Sequence, residues 1–143
     1  MLLGEGRAVS APIAGGCLCG AVRYCATRIA AAAAYCHCRT CRRASGAPVV
    51  AWITVARDGF EFVRGTPRSY RSSEHVSRTF CPTCGTPLSY AHDAYPDALD
   101  LTTASLDDPG SFPPSDHVWT SHAIDWLRLD DGLPRYPEFR PRT

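Results

Sequence analysis

Val49-Val50-Ala51-Trp52-Ile53-Thr54-Val55, residues 49–55, runs into Asp58-Gly59 and then Phe60-Glu61-Phe62-Val63, residues 60–63, and its reading decides the fold. The first run is uncharged and rich in β-branched and aromatic side chains, so it reads as a buried strand. Asp-Gly before the second run is hairpin-type turn chemistry. Downstream, Arg68 to Arg71, Val76 to Phe80, Leu88 to Tyr90 and Ala98 to Ala104 are further short strand candidates. Upstream, Cys19 to Tyr24 alternates weakly and reads as a strand. Five alanines, Ala30 to Ala34, are too few for an isolated helix and read as an extended lead-in to Cys36. After Cys38 there is room for one short helical turn before Gly46-Ala47-Pro48 stops it. Twelve prolines and eleven glycines in 143 residues cut the chain into short pieces. Many short strands with turns between them define an all-β domain.

The length fits one domain. We place it at residues 15–139, after a loose small-residue arm at 1–14 and before a tail at 140–143. Asp107 to Ser115 is a proline-rich loop, and Trp52, Trp119 and Trp126 are expected in the core, with Tyr24, Tyr70 and Tyr90 edging strands. The net charge of +1 comes without a basic block or an acidic tail, which argues against nucleic acid as a partner. No run approaches the ~18 apolar residues of a membrane span. The first residues, MLLGEGRAVSAPIAGG, lack the continuous apolar stretch of a signal peptide. The expected location is therefore the cytosol, where eight cysteines point to metal before disulfides.

Seven of the eight cysteines fall into three clusters. Gly16-Cys17-Leu18-Cys19-Gly20 and Phe80-Cys81-Pro82-Thr83-Cys84-Gly85 each offer two thiolates flanked by glycine. A structural zinc site takes four ligands in a tetrahedron at about 2.3 Å, commonly two from each of two loops. Sharing one ion would clip Cys19 to Cys81 and close a long loop. The competing readings are two separate buried pairs, or a redox pair at Cys81 and Cys84. The second wants a helix N-terminus in a βαβ setting, which Pro87 and the strand pattern after it do not offer.

The middle cluster, Tyr35-Cys36-His37-Cys38-Arg39-Thr40-Cys41-Arg42-Arg43, places three thiolates within six residues. Three protein ligands and an open position make a catalytic kind of zinc site, able to take an incoming thiol and lower its pKa. Arg39, Arg42 and Arg43 add positive charge that suits the carboxylates of an anionic thiol. The alternative is a second closed structural zinc completed by His37, Cys25 or a distant histidine. In an extended loop His37 points away from its cysteine neighbours and lies behind them or on the surface. Cys25 reads as a small buried apolar residue, and His75, His92, His117 and His122 as satisfied or solvated groups.

G-G-C-L-C-G-A-V at 15–22, Y-C-H-C-R-T-C-R-R-A-S-G at 35–46, F-C-P-T-C-G-T-P-L at 80–88 and H-V-W-T-S-H-A-I-D-W-L-R-L-D-D-G-L-P-R-Y at 117–136 resemble the glutathione-dependent formaldehyde-activating enzyme family, which includes the centromere protein V proteins. The resemblance implies a small all-β tent of stacked antiparallel sheets organised around zinc. It implies two zinc ions per chain: a structural one on Cys17, Cys19, Cys81 and Cys84, and a catalytic, less firmly held one on Cys36, Cys38 and Cys41. It further implies a carbon–sulfur lyase-type activity, the reversible addition of glutathione or a similar thiol to formaldehyde or another small aldehyde. Arg42 and Arg43 are the candidate substrate contacts. The rival is a non-catalytic zinc module that binds a protein or a thiol adduct, since the sequence names no general acid or base. Cys25 belongs to no motif of the family.

Overall fold

The computed structural model describes residues 6–141. Nine strands form it: β1 (Arg7–Gly16), β2 (Arg23–Cys36), β3 (Val50–Ala56), β4 (Phe60–Arg64), β5 (Arg68–Ser73), β6 (Val76–Phe80), β7 (Pro87–His92), β8 (Ala98–Thr102) and β9 (His117–Val118). The one α-helix among the described residues, α1 (Arg39–Ser45), follows β2 and ends on Gly46, whose φ of 69° is the left-handed C-terminal stop that glycine supplies. The strand order is β1-β2-β3-β8-β7-β6-β5, with β4 and β9 also paired to β2. All ladders are antiparallel except β2 with β9. The all-β expectation holds. Among the described residues no helix is long and apolar enough to cross a membrane.

Strand β2 is the hub. Cys25 pairs with both Ala14 of β1 and Glu61 of β4, so those strands lie on opposite edges of its first half. Tyr35 and Cys36 pair with both β3 and β9, which therefore take opposite edges of its second half. Register shifts fall between Ile29 and Ala31 and between Ala31 and Ala34, inside the alanine run. Shifts of this kind bend a strand and sharpen its twist, and alanine, weak as a strand former, has no branched side chain to resist the bend. One strand thus serves two different sets of neighbours.

Two apolar clusters result. Tyr24, Val22, Ile53, Val55, Leu88, Leu99 and Leu101 anchor the larger, which also holds Cys17 and Cys81. Cys36, Cys41 and Val50 form the smaller, with Trp52, Val118 and Trp119 against it. Each of the fully buried aliphatic side chains contributes about 1.5–3 kcal/mol. Strand alternation separates the faces. Ile53, Val55, Leu99 and Leu101 point into the large cluster. On the opposite face the cross-strand partners Thr54 and Asp100, Asp100 and Tyr90, and Tyr90 and Arg78 stand side by side. Trp52, two residues before Thr54, shares that face, and so does Cys36 through its pairing with Val50.

Several expectations need correction. Asp58-Gly59 does not close a hairpin between β3 and β4. A 3-10 turn at Arg57–Gly59 carries the chain away and β4 pairs with β2, because the edge of β3 is already filled by β8. The arm at 1–14 is a strand from Arg7 onward: it is an edge strand, mostly exposed, so its side chains show no periodicity until Ile13. Residues 1–5 of that arm lie outside the described residues. Cys19 to Val22 is turn, and the strand begins at Arg23. The tail is tied back at Arg140, which donates to Asp116 and to the carbonyl oxygens of Ala32 and Ala33, while residues 142–143 lie outside the described residues. Trp126 is 71% exposed rather than core. Tyr24 does not edge a strand but is fully buried, its hydroxyl at 2.7 Å from that of Ser105, because β1 and β4 cover both sides of its strand.

Gly15, the cross-strand partner of Tyr24, packs directly against its ring. A Cβ there would come within 2.6 Å of both the Ser105 carbonyl oxygen and the Tyr24 ring. Gly15→Ala should destabilise the fold by about 1–3 kcal/mol, the usual cost of overpacking. Urea unfolding of the purified proteins measures it, and an unchanged midpoint would refute this account of the Tyr24 site.

Candidate metal centres

The two glycine-flanked cysteine pairs fold as near-copies of one turn. In the first, the Cys17 N–H donates to the Val22 carbonyl (3.0 Å) and the Gly20 N–H returns to that of Cys17 (3.2 Å). In the second, the Cys81 N–H donates to the Thr86 carbonyl (3.0 Å) and the Gly85 N–H to that of Cys81 (2.9 Å). Gly20 and Gly85 sit at φ of 78° and 79°, a conformation that only glycine adopts freely. The Leu18 N–H donates to the Thr86 hydroxyl at 3.0 Å and ties one turn to the other.

This brings the four thiols together. The sulfurs of Cys17, Cys19, Cys81 and Cys84 all lie within 4.8 Å of one another and could hold a metal ion. Cys17 and Cys19 Sγ are 3.6 Å apart, Cys19 and Cys81 Sγ 3.8 Å. All eight cysteines are free thiols. Backbone N–H groups already point at the sulfurs: Val22 at Cys17 (3.2 Å), Thr83 and Cys84 at Cys81 (3.4 and 3.5 Å). The Thr86 hydroxyl and backbone hold the Cys84 thiol down to about 5. Burial works against ionisation of Cys17, yet the Val22 N–H and the neighbouring thiols lower it overall. Against its backbone hydrogen bond with Ala21, burial and the three neighbouring thiols push Cys19 up to about 11, so the group does not ionise as a whole without a cation. Four thiols with no carboxylate among them fit a soft or borderline divalent ion.

The middle cluster is built differently. Cys36 ends β2, Cys38 precedes α1, and Cys41 lies inside the helix with its side chain buried. The Cys41 thiol interacts with those of both Cys36 and Cys38. Contact with Cys41 lowers Cys36 against the effect of burial. The Cys36 contact raises Cys41 while the Cys38 contact pulls it the other way, and contact with Cys41, then burial, pushes Cys38 up to about 11. Among the described residues only the other four cysteines form a group with every ligand atom within 4.8 Å, so this trio is the looser arrangement.

Arg78, which the sequence reading did not single out, is the main addition here. It is buried on β6, and both terminal nitrogens reach Cys41 Sγ at 3.7 Å. Its remaining contacts are the Thr40 hydroxyl (3.3 Å), the Ser72 hydroxyl (3.0 Å) and the Tyr90 ring, whose centroid is 5.0 Å away. A guanidinium with neutral partners and a sulfur favours that sulfur as thiolate. Its signal was available: in Val76-Ser77-Arg78 the charge shares the parity of a buried valine.

The other named residues divide clearly. Arg42 is half-buried and donates to the His122 carbonyl (3.4 Å), while Arg39 and Arg43 are exposed beside the trio. His37 points away from the cysteines as expected but is buried, not on the surface. Its Nε2 is 2.9 Å from His117 Nδ1, and His117 Nε2 lies 2.9 Å from an Asp131 oxygen. Burial lowers His37 to about 4, so it stays neutral and braces the loop between Cys36 and Cys38. His117 is satisfied within this chain of contacts. Cys25 is half-buried, its thiol 3.8 Å from Glu61, and burial followed by that carboxylate raises it, which makes it a poor nucleophile.

An antiparallel β fold that gathers four thiols from two matched turns defines a small β domain with a cysteine group able to hold a metal ion. The family description "glutathione-dependent formaldehyde-activating enzyme" matches residues 12–122, and the chain belongs to that family. Among solved structures, the crystal structure of a Rhodobacter sphaeroides protein is similar at a TM-score of 0.56 and 21% identity, over 86% of this chain and 98% of that one. At that identity the likeness bears on the fold alone. No curated protein sequence matches significantly.

The four-thiol group makes a direct prediction. Cys84→Ala should lose its cooperative thermal transition by circular dichroism, because a clip of this kind contributes folding energy outright. Cys25→Ala should shift stability by less than about 1 kcal/mol. A cooperatively folded Cys84→Ala protein would remove the scaffold role.

Proposed function

We infer that this chain is a zinc-dependent carbon–sulfur lyase-type enzyme that joins glutathione or a similar thiol to formaldehyde or another small aldehyde. Family membership supports the reaction type. The observation that carries the reading to a site is the middle trio: three thiols on a loop and a helix, loosely grouped, with the buried Arg78 guanidinium on one of them. We assign Cys17, Cys19, Cys81 and Cys84 to a structural zinc ion and Cys36, Cys38 and Cys41 to a second, catalytic one. When bound at the trio, zinc supplies a Lewis acid that favours the thiolate form of an incoming thiol.

The chain's own residues do the remaining work. Arg78 holds positive charge against the sulfur side of the site. Arg42 and Arg43, at the end of α1, are placed to take the carboxylates of a glutathione-like thiol. Trp52 and Tyr90, ring centroids 6.0 Å apart, give the neighbouring sheet face an aromatic floor against which a small aldehyde is kept from bulk water. Catalysis here is chiefly placement, since a thiol adds to formaldehyde readily and a strongly ionised thiolate is a weaker nucleophile. Free thiols in every position suit a reducing, cytoplasmic setting.

Metal analysis and turnover test this together. The wild type should carry two zinc ions, and Cys41→Ala one. S-Hydroxymethylglutathione formation, followed against the uncatalysed background, should be faster with wild type and fall to background with Cys41→Ala. Loss of both ions in Cys41→Ala, or no excess rate in the fully loaded wild type, would overturn the assignment.

A further inference from the structure

The sheet face beside the trio carries a carboxyl group, that of Asp100. Asp100 on β8 stands between Thr54 of β3 and Tyr90 of β7, its directly opposite partners. Cys36 lies on the same face, in register with Val50 two residues before Trp52. Cys36 and Tyr90 both feel the Asp100 charge, and Tyr90 also feels Cys41 and Cys38. Tyr90 is thus shared, with Asp100 beside it and Arg78 over its ring.

We propose that Asp100 is the proton carrier of the reaction inferred above, accepting the proton of the incoming thiol and returning it to the aldehyde oxygen. Addition needs such a group. The thiol S–H bond breaks and its proton passes to the Asp100 carboxylate. Sulfur then forms the new S–C bond, the carbonyl π pair moves to oxygen, and that oxygen takes the proton back from Asp100. One proton makes the round trip, no electrons are gained or lost, and the product is the neutral S-hydroxymethyl adduct with the carboxylate restored. In reverse, the same carboxylate removes the hydroxyl proton.

The surroundings suit this task. Asp100 accepts a hydrogen bond from the Thr54 hydroxyl at 2.5 Å. Burial raises the carboxyl to about 6, while Thr54 and, at longer range, Arg140 pull it down. A carrier near the working pH moves a proton in both directions with little penalty. The other ionisable groups facing it are Tyr90, Cys36 and, around the Tyr90 ring, Arg78, Cys41 and Cys38. Burial, then the Asp100 charge, pushes the Tyr90 phenol up to about 12, so it stays protonated and makes a poor base. Arg78 is a permanent cation. Asp100 is the oxygen base on this face, and nothing in its spacing from the cysteine motifs reveals it.

The test uses the zinc-loaded full-length protein with glutathione and formaldehyde. Above background, wild-type kcat/KM should fall as pH drops through about 6, because only the carboxylate can accept the thiol proton. Asp100→Asn should keep its zinc content, lose that limb and run about 10²-fold slower near pH 7. Thr54→Val removes a hydrogen bond that lowers Asp100, so its limb should move to higher pH, a shift that a merely structural role for Asp100 would not produce. Independently of turnover, calorimetry of glutathione binding in buffers of different ionisation enthalpy reads proton release. Asp100→Asn should release about one proton more per thiol bound at pH 7 than wild type. Equal release and an unchanged pH limb, with thiol bound, would overturn the role of Asp100. Absence of thiol binding and of excess turnover in wild type would instead refute both the function inferred above and this role with it.

Discussion

The approach of the Cys17 and Cys19 sulfurs to those of Cys81 and Cys84 is the constraint on which the rest of the architecture depends. Cys19 and Cys81 are 62 residues apart in sequence, and their sulfurs are 3.8 Å apart in space. Closing a loop of that length costs about 4 kcal/mol of chain entropy. Four thiols so close also cannot all ionise without a cation between them. A structural zinc site, with an apparent contribution of about 10–16 kcal/mol, exceeds both costs. The clip is part of the larger apolar cluster, where Cys17 and Cys81 pack with Val22, Leu88 and Leu101. An ion bound there would make metal binding and core formation one event, with the first turn set together with the strand that leads to the second.

From that fixed point the geometry of the second site follows through β2. The strand leaves the first turn at Arg23, bends within its alanines and delivers Cys36 to the smaller cluster. The far end of the strand is pinned from the C-terminal side: β9 pairs with Tyr35 and Cys36, and His117 on β9 braces His37. Asp131 and Arg140 hold that returning segment in place. Cys36 and Cys38 are thus positioned by residues some 80 places downstream.

The strands and the grouping of Cys17 and Cys19 with Cys81 and Cys84 were legible in the sequence because both rest on local patterns. β-Branched runs mark β3, and thiol spacing with glycine marks the two turns. What escaped was set by partners distant in the chain. The Asp58-Gly59 pair carries turn chemistry, but which strand β4 joins depends on β8 already occupying β3. An edge strand such as β1, exposed at five of its first six residues, leaves no apolar alternation to read there. Tyr24 and Trp126 exchange their expected places for the same reason, since a side chain's own character does not reveal whether another strand covers it. At the site, the cysteines and adjacent arginines were visible as a motif. Arg78, Tyr90 and Asp100 reach them only through cross-strand registers, so the group we propose as the proton carrier was invisible in one dimension.

The contrast between the two cysteine groups is the reason we assign the chemistry to one of them. In the clip, sulfurs receive backbone N–H groups and a threonine hydroxyl, and the larger core packs against them. A ligand entering there would have to displace bonds that the fold itself needs. Around the trio, Cys41 has a guanidinium at 3.7 Å, and the sheet face continues past Tyr90 to a carboxyl group. Cation and carboxylate are held on either side of one aromatic ring in a partly dry setting, where charge acts more strongly than in water. Had Arg78 and Asp100 paired with each other, the two charges would have cancelled and left a structural ion pair. Tyr90 between them keeps the cation for sulfur and the carboxylate for a proton. That separation is what our proposal draws on: a cation near sulfur and an unpaired carboxyl group on one face, where an ion pair would only have braced the sheet.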